Sequence, residues 1–140
     1  CVPSAALQFH GEESAEACSA EAHATGRVFW RAARIPAGDG VGFDLLKFAH
    51  TFQAAQAILL DAHVEGYGGG GKTFDWSLIP QGFGRPLVLS GGLDADNVVD
   101  AVRRIRPWAV DVSSGVESDK GIKDAAKIAA FIAGVRDADG

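Results

Sequence analysis

Pro86-Leu87-Val88-Leu89-Ser90-Gly91-Gly92-Leu93 and, further on, Trp108-Ala109-Val110-Asp111-Val112-Ser113-Ser114-Gly115-Val116-Glu117 decide how this chain is read. Each stretch begins as a short apolar run, the pattern of a buried strand, and then opens into small residues ahead of an amphipathic helical stretch. Strand ends of this composition leave backbone N–H groups free to face a ligand, and a helix N-terminus close by favours an anion. The ends of adjacent strands in a parallel sheet converge on one point. The two runs together therefore form a candidate phosphate cradle.

Working outward, the same rhythm recurs. Ala6 to His10 reads as a strand, Ser14 to Ala24 as a helix, Val28 to Ile35 as a strand, and Phe43 to Phe52 as a helix with Leu45, Leu46, Ala49 and Phe52 at helical spacing. Ala57 to Ala62 is a third strand, followed by the glycine-rich loop Gly66 to Gly71 and a short helix around Phe74 to Leu78. After the strand Leu87 to Ser90, the next helix is expected to start near Asp94, a good N-cap residue. Trp108 to Val112 is the fifth strand. The last helix, Gly121 to Arg136, carries Ile122, Ala125, Ala129, Ile132 and Val135 on one stripe. Nearly continuous apolar strands alternating with amphipathic helices predict a parallel sheet covered by helices. A phosphate held between the last two βα loops is a recurring arrangement in (βα)8 barrels.

At 140 residues the chain supports one domain, residues 1–140, but five βα units fall short of a complete (βα)8 barrel, which needs about 200 residues or more. Apolar content of 47% with 22% charged residues is ordinary for a globular protein. A net charge of −5 argues against nucleic acid and against a polybasic membrane patch, so an anionic substrate must be met by local groups. No apolar run reaches the length of a transmembrane helix. Two cysteines, Cys1 and Cys18, make a weak case for a disulfide, and a reducing, cytoplasmic setting is expected. The chain starts at Cys1 and contains no methionine, so it is expected to be processed or to be a piece of a longer one.

Several residues could carry chemistry. Asp61 ends the run Ile58-Leu59-Leu60, where barrel enzymes place catalytic groups, and partial burial would raise its pKa towards that of a useful proton donor. The alternative is an Asp that caps the following turn. Asp111, also at a strand end, is either a structural carboxylate or a substrate contact. Glu117 fits the first turn of a helix, and His10 closes the first strand. The loop Gly66-Tyr67-Gly68-Gly69-Gly70-Gly71-Lys72 departs from a P-loop, because Lys72 and Thr73 lead into a short aromatic element; it reads as an active-site loop whose backbone approaches the ligand. His10, His23, His50 and His63 are scattered and suggest no metal site, and no Gly-x-Ser-x-Gly elbow is present.

These segments taken together resemble phosphoribosylanthranilate isomerase, a (βα)8 enzyme of tryptophan biosynthesis. The matching motifs are Leu7-Gln8-Phe9-His10-Gly11-Glu12, Leu59-Leu60-Asp61-Ala62, Gly69-Gly70-Gly71-Lys72-Thr73-Phe74-Asp75-Trp76, Ser90-Gly91-Gly92-Leu93 with Asn97-Val98, Val110 through Glu117, and Gly121-Ile122-Lys123-Asp124. Phe9 stands where Leu is usual, Gly70 where Thr is common and Ser90 where Ala is frequent.

The resemblance implies that the five units are strands four to eight of a TIM barrel, its C-terminal part, and that the Lys-Ile-Cys-Gly-type motif supplying the family's cysteine base lies outside the chain. Neither Cys1 nor Cys18 has that context. It implies an Amadori rearrangement of N-(5-phosphoribosyl)anthranilate by general acid/base catalysis, with no cofactor and no metal. The acid would be Asp61, the phosphate would lie on the backbone of Gly91, Gly92, Ser114 and Gly115, and Asp111, His10 and Gly70 would contact substrate. The implied partners are the sugar-phosphate substrate and the missing N-terminal part of the barrel, with neither nucleic acid nor membrane. The alternative is a catalytically incomplete partial barrel that binds sugar phosphate or is completed by a partner. A relative of indole-glycerol-phosphate synthase is less favoured, for want of a strand-end lysine.

Overall fold

The computed structural model describes residues 4–36, 43–63 and 75–140. Five parallel strands form one sheet in chain order: β1 (Leu7–Phe9), β2 (Phe29–Pro36), β3 (Ala57–His63), β4 (Leu87–Leu89) and β5 (Ala109–Val110). The connections carry α1 (Ala15–Thr25), α2 (Leu45–Thr51), a 3-10 turn at Trp76–Leu78 and α3 (Val98–Ile105). After β5 come a 3-10 turn at Ser114–Val116, a hairpin of β6 (Glu117–Asp119) and β7 (Ile122–Lys123), and α4 (Ala125–Asp139). All five expected strands are present. The small polar hairpin was not foreseen, because Glu117-Ser118-Asp119 carries no apolar alternation.

Short polar side chains start the helices. Ser14 Oγ accepts from Ala17 N–H at 3.2 Å, Asp44 from Lys47 N–H at 2.9 Å, and Asp124 from Lys127 N–H at 2.9 Å, each satisfying an end donor with no partner inside its helix. Gly26 ends α1 in the left-handed region at φ 63°, as a glycine readily does. The start expected near Asp94 is displaced to Val98. Asp94 Oδ1 instead accepts from Asp96 and Asn97 N–H at 2.9 and 3.1 Å, closing a turn before the helix begins.

One face of the sheet packs under the helices, with Phe29, Ala33, Ile35, Ile58, Leu60, Leu87 and Leu89 in the main core. The opposite, inner face carries a second apolar cluster of Ala32, Ala57, Leu59 and Val88 with Trp30 and Ala109. Two-residue periodicity alone divides these sets. The sheet curls: the Trp30 and Trp108 rings, from β2 and from the residue before β5, meet edge to face at 5.7 Å. Trp30 Nε1 is fixed by Gln56 Oε1 at 2.9 Å.

Two features of the packing could not be read from periodicity. The first is the face α4 buries. Its core side is Phe131 and Ala138, with Gly134 and Val135 half-buried, whereas Ile132 of the expected stripe is 43% exposed and Ala125 and Ala129 face solvent. A Cβ on Gly134 would lie 3.0 Å from Val98 Cγ1 and 3.2 Å from Val99 Cγ2, so closest approach to α3 turns that side inward. The second is Arg31, 5% exposed on the helix side of β2. It donates to Phe9 O at 3.0 Å and Gly11 O at 2.8 Å, pairs with Glu13 at 3.4 Å and lies 4.7 Å over the Phe52 ring. It ties the β1–α1 loop to β2.

Replacing Arg31 by Met keeps the stem and removes the guanidinium. Arg31→Met in the full chain is expected to lower the free energy of unfolding by about 3 kcal/mol, because the part-buried Phe9 and Gly11 carbonyls lose a buried charged donor. The urea midpoint reads this directly; a loss under about 0.5 kcal/mol would show that the loop is held by other means.

Candidate active site

The parallel register aligns polar side chains across the C-terminal rim of the inner face. Arg34 of β2 is the register partner of Asp61 on β3. Ser90 N–H donates to Leu60 O at 2.8 Å and Asp111 N–H to Leu89 O at 2.8 Å, which carries the row on through Ser90 and Asp111. Asp61 is partly exposed, at 29%, and its Oδ2 lies 3.2 Å from His10 Nε2. The His10 carbonyl in turn accepts from Arg34 at 2.9 Å. His10 and Asp61, separate candidates in the sequence, are therefore one pair. The turn that Asp61 would cap, beyond His63, lies outside the described residues.

Asp111 accepts from the Ser90 hydroxyl at 2.9 Å, with Ser90 buried and Asp111 exposed. This single bond fixes one carboxylate oxygen of Asp111 while the group stays open to the rim. Beside the row lie the two glycine-bearing loops. Gly91 and Gly92 adopt φ values of 78° and 69°, a region a side chain disfavours. Asn97 Nδ2 donates to Gly92 O at 2.8 Å while Asp94 N–H donates to Asn97 Oδ1 at 3.0 Å, so one amide locks the first loop. The second loop presses onto the first: a Cβ on Gly115 would collide with the Leu93 carbonyl oxygen. Among the described residues no acceptor is found for the N–H groups of Gly91, Gly92, Ser114 or Gly115.

Glu117 does not serve a helix's first turn. It begins β6, its side chain 16% exposed, and binds Lys123 Nζ at 2.7 Å and Gly121 N–H at 3.0 Å. Those two donors hold its carboxyl below the usual carboxylate range, the Lys123 bond contributing most. Cys18 is buried in the main core, where burial pushes its thiol above the ordinary value, so it stays protonated and remote from the rim. Gly70 and the loop Gly66 to Gly71 lie outside the described residues, as does Cys1. A cavity of about 940 Å³ lined by Trp76, Phe83, Arg104 and Trp108 opens at the other, N-terminal end of the strands, away from every group in the row. Among the described residues no cluster of three His, Cys, Asp or Glu could hold a metal, and no helix is long and apolar enough to cross a membrane. Arg34, Asn97, Ser90 and Lys123 were missed as site residues; Asn97, Ser90 and Lys123 sat within quoted motifs without a role, and Arg34 in none.

The family model for N-(5'-phosphoribosyl)anthranilate (PRA) isomerase matches residues 3–134. The N-(5'-phosphoribosyl)anthranilate isomerase of Leptothrix cholodnii is 62% identical over 138 residues, covering 99% of this chain and 59% of that protein. That of Methylibium petroleiphilum is 60% identical, covering 99% and 61%. The crystal structure of the Thermotoga maritima phosphoribosyl anthranilate isomerase superposes with a TM-score of 0.73 at 40% identity, covering 94% of this chain and 62% of that one. A phosphoribosyl anthranilate isomerase in complex with reduced 1-(o-carboxyphenylamino)-1-deoxyribulose 5-phosphate gives 0.69 at 36% identity, covering 94% and 59%. The chain thus spans about three fifths of the length of these relatives.

Two outcomes follow from the geometry. Gly115→Ala should destabilise the full chain by about 1–3 kcal/mol, the cost of overpacking, because the Leu93 backbone cannot yield as a flexible side chain would; an unchanged melting curve would show that the loops separate freely. A depressed carboxyl pKa stabilises the fold above the unfolded value, about 4.3, and that contribution disappears as pH falls through the folded value. The stability gap between wild type and Glu117→Gln should therefore be present at neutral pH and close below about pH 4.3. Denaturation curves across that range check it, and a gap independent of pH would sever Glu117 from Lys123.

Proposed function

Since the chain belongs to the N-(5'-phosphoribosyl)anthranilate isomerase family, we propose that it supplies the general acid and the phosphate grip of that isomerisation. The observation that carries this reading is the common rim: the Asp61–His10 pair opens on the same sheet end as the two glycine-bearing loops. The reaction converts N-(5'-phosphoribosyl)anthranilate into 1-(2-carboxyphenylamino)-1-deoxyribulose 5-phosphate.

Asp61 gives its proton to the furanose oxygen as the anthranilate nitrogen lone pair expels that oxygen from C1′, leaving an iminium and an open chain. Loss of the C2′ proton to a base produces an enol-amine. Return of a proton to C1′, with formation of the C2′ ketone, completes the rearrangement. His10 at 3.2 Å occupies Asp61 Oδ2 and leaves the other oxygen to face substrate. The free N–H groups of Gly91, Gly92, Ser114 and Gly115 bind the phosphate without a net-positive surface, which a chain of charge −5 lacks. Asp111, held by Ser90, faces the anthranilate amine, and Gly70 adds a backbone contact. Acid, base and the substrate's own nitrogen suffice, so no cofactor is called for, and the setting is the cytoplasm.

The base is not among the cysteines of this chain, since Cys18 is a core thiol and Cys1 does not share the motif context of a base. We assign the five strands to positions four to eight of a (βα)8 barrel. The length of the relatives not spanned by this chain would then hold the first three strands and the base. Two observations support this assignment: β1 and β5 each have one neighbour within the described sheet, and Ile128 and Ile132 of α4 are exposed where a further helix would pack. The unpaired edges also favour a second reading, a partial barrel that binds sugar phosphate without turnover.

Following the fluorescence of phosphoribosylanthranilate with the full-length gene product decides between them. Asp61→Asn is expected to lower kcat by about a thousandfold, the scale of a lost general acid. Near-wild-type turnover by that variant would remove Asp61 from the chemistry. Phosphate binding with no turnover in the wild type would favour the binding module.

A further inference from the structure

Lys123 does not reach into the candidate phosphate site; it grips that site from behind. Its ammonium lies 2.8 Å from Ser113 O, 3.3 Å from Ser113 Oγ and 2.7 Å from Glu117 Oε1. A lysine has three N–H donors, so these partners use all of them and none is left for an anion. Glu117 is itself anchored at its second oxygen by Gly121 N–H at 3.0 Å, while its carbonyl accepts from Lys127 at 2.6 Å.

Across a planar trans peptide the carbonyl of one residue and the N–H of the next point in opposite directions. Holding the Ser113 carbonyl against Lys123 therefore turns the Ser114 N–H to the other side of the strand end, where the two glycine-bearing loops meet. Ser113 sits at φ −121° and ψ −83°, outside the helical and extended basins, and the 3-10 bond that the same carbonyl accepts from Val116 N–H is long, at 3.4 Å. The charged contact is much the shorter of the two. In the first loop a side chain likewise occupies a backbone carbonyl, Asn97 Nδ2 on Gly92 O at 2.8 Å.

We propose that Lys123, oriented by Glu117, is a positioning residue that presents the Ser114 N–H to the substrate phosphate. This rests on the phosphate grip of the proposed function. It makes a prediction that simple electrostatics reverses. If Lys123 and Glu117 act on the anion only through charge, Lys123→Met weakens phosphate binding and Glu117→Gln, which removes a negative charge, strengthens it. If they position the peptide, both variants weaken it.

The test measures competitive inhibition of the full-length enzyme by inorganic phosphate, with folding followed by circular dichroism. Wild-type inhibition first establishes the grip itself; its absence overturns that reading, and the present inference with it, before any variant is made. Given inhibition, Lys123→Met and Glu117→Gln should each raise the inhibition constant about tenfold, the scale of one charge-assisted hydrogen bond. Lys123→Arg should stay within about threefold of wild type, because a guanidinium can serve the same carbonyl. For both weakened variants KM should rise more than kcat falls. Tighter phosphate binding by Glu117→Gln, or unchanged constants in folded Lys123→Met, would overturn the positioning role. Glu117→Gln is nearly isosteric and keeps the test open should Lys123→Met fail to fold.

Discussion

Parallel pairing in a single register is the constraint on which the rest of this structure depends. Ile58, Leu59 and Leu60 pair with β2 on one side and β4 on the other, so β3 has almost no freedom to slide. A one-residue slip would exchange the inner and outer sets, sending Asp61 beneath the helices and Leu60 to the rim. With the register held, Arg34, Asp61, Ser90 and Asp111 fall into a row, and His10 joins it from just after β1. The hydrophobic burial of Ile58, Leu60 and Leu89 at the core thereby sets the positions of these polar groups.

The proposed phosphate grip would let an acidic chain offer a place for an anion. In that proposal the donors are backbone N–H groups rather than a basic patch. Backbone donors serve only if the chain is shaped to leave them unpaired and aimed together. Two side chains help by occupying carbonyls, Asn97 that of Gly92 and Lys123 that of Ser113. Gly115 makes the arrangement compact, because any side chain there would strike the Leu93 backbone. The glycines in the two loops thus have different duties: Gly91 and Gly92 supply positive φ, and Gly115 supplies room.

Most of the fold was legible because its signals are local. Strand runs such as Ala57-Ile58-Leu59-Leu60 declare themselves within a few residues, whereas the caps Asp44 and Asp124 fall inside the helices expected from Phe43 and Gly121. The errors fell where two local signals competed. Asp94 is a good cap by type, yet its carboxylate closes a turn and leaves Asn97 to precede the helix. On α4, Ile132 and Phe131 lie on neighbouring stripes of the same helix, and nothing in the spacing says which of them turns inward. Glu117 carried no signal of its partner, since Lys123 reaches it only through the hairpin turn. Arg31 looked like one more residue in an apolar strand, and its carbonyl partners lie on another strand and loop.

The sequence by itself determined the alternation of strand and helix, the parallel sheet and the identity of the strand-end residues, because periodicity and residue type are properties of short windows. It marked Asp61, His10 and Asp111 as candidates one at a time. Only the tertiary structure decided that His10 meets Asp61, that Ser90 holds Asp111, and that Lys123 holds the Ser113 carbonyl. Each of these contacts joins residues from different strands or loops. Their distances depend on strand register, sheet curl and the closeness of two loops, and those quantities exist only once the whole core has packed.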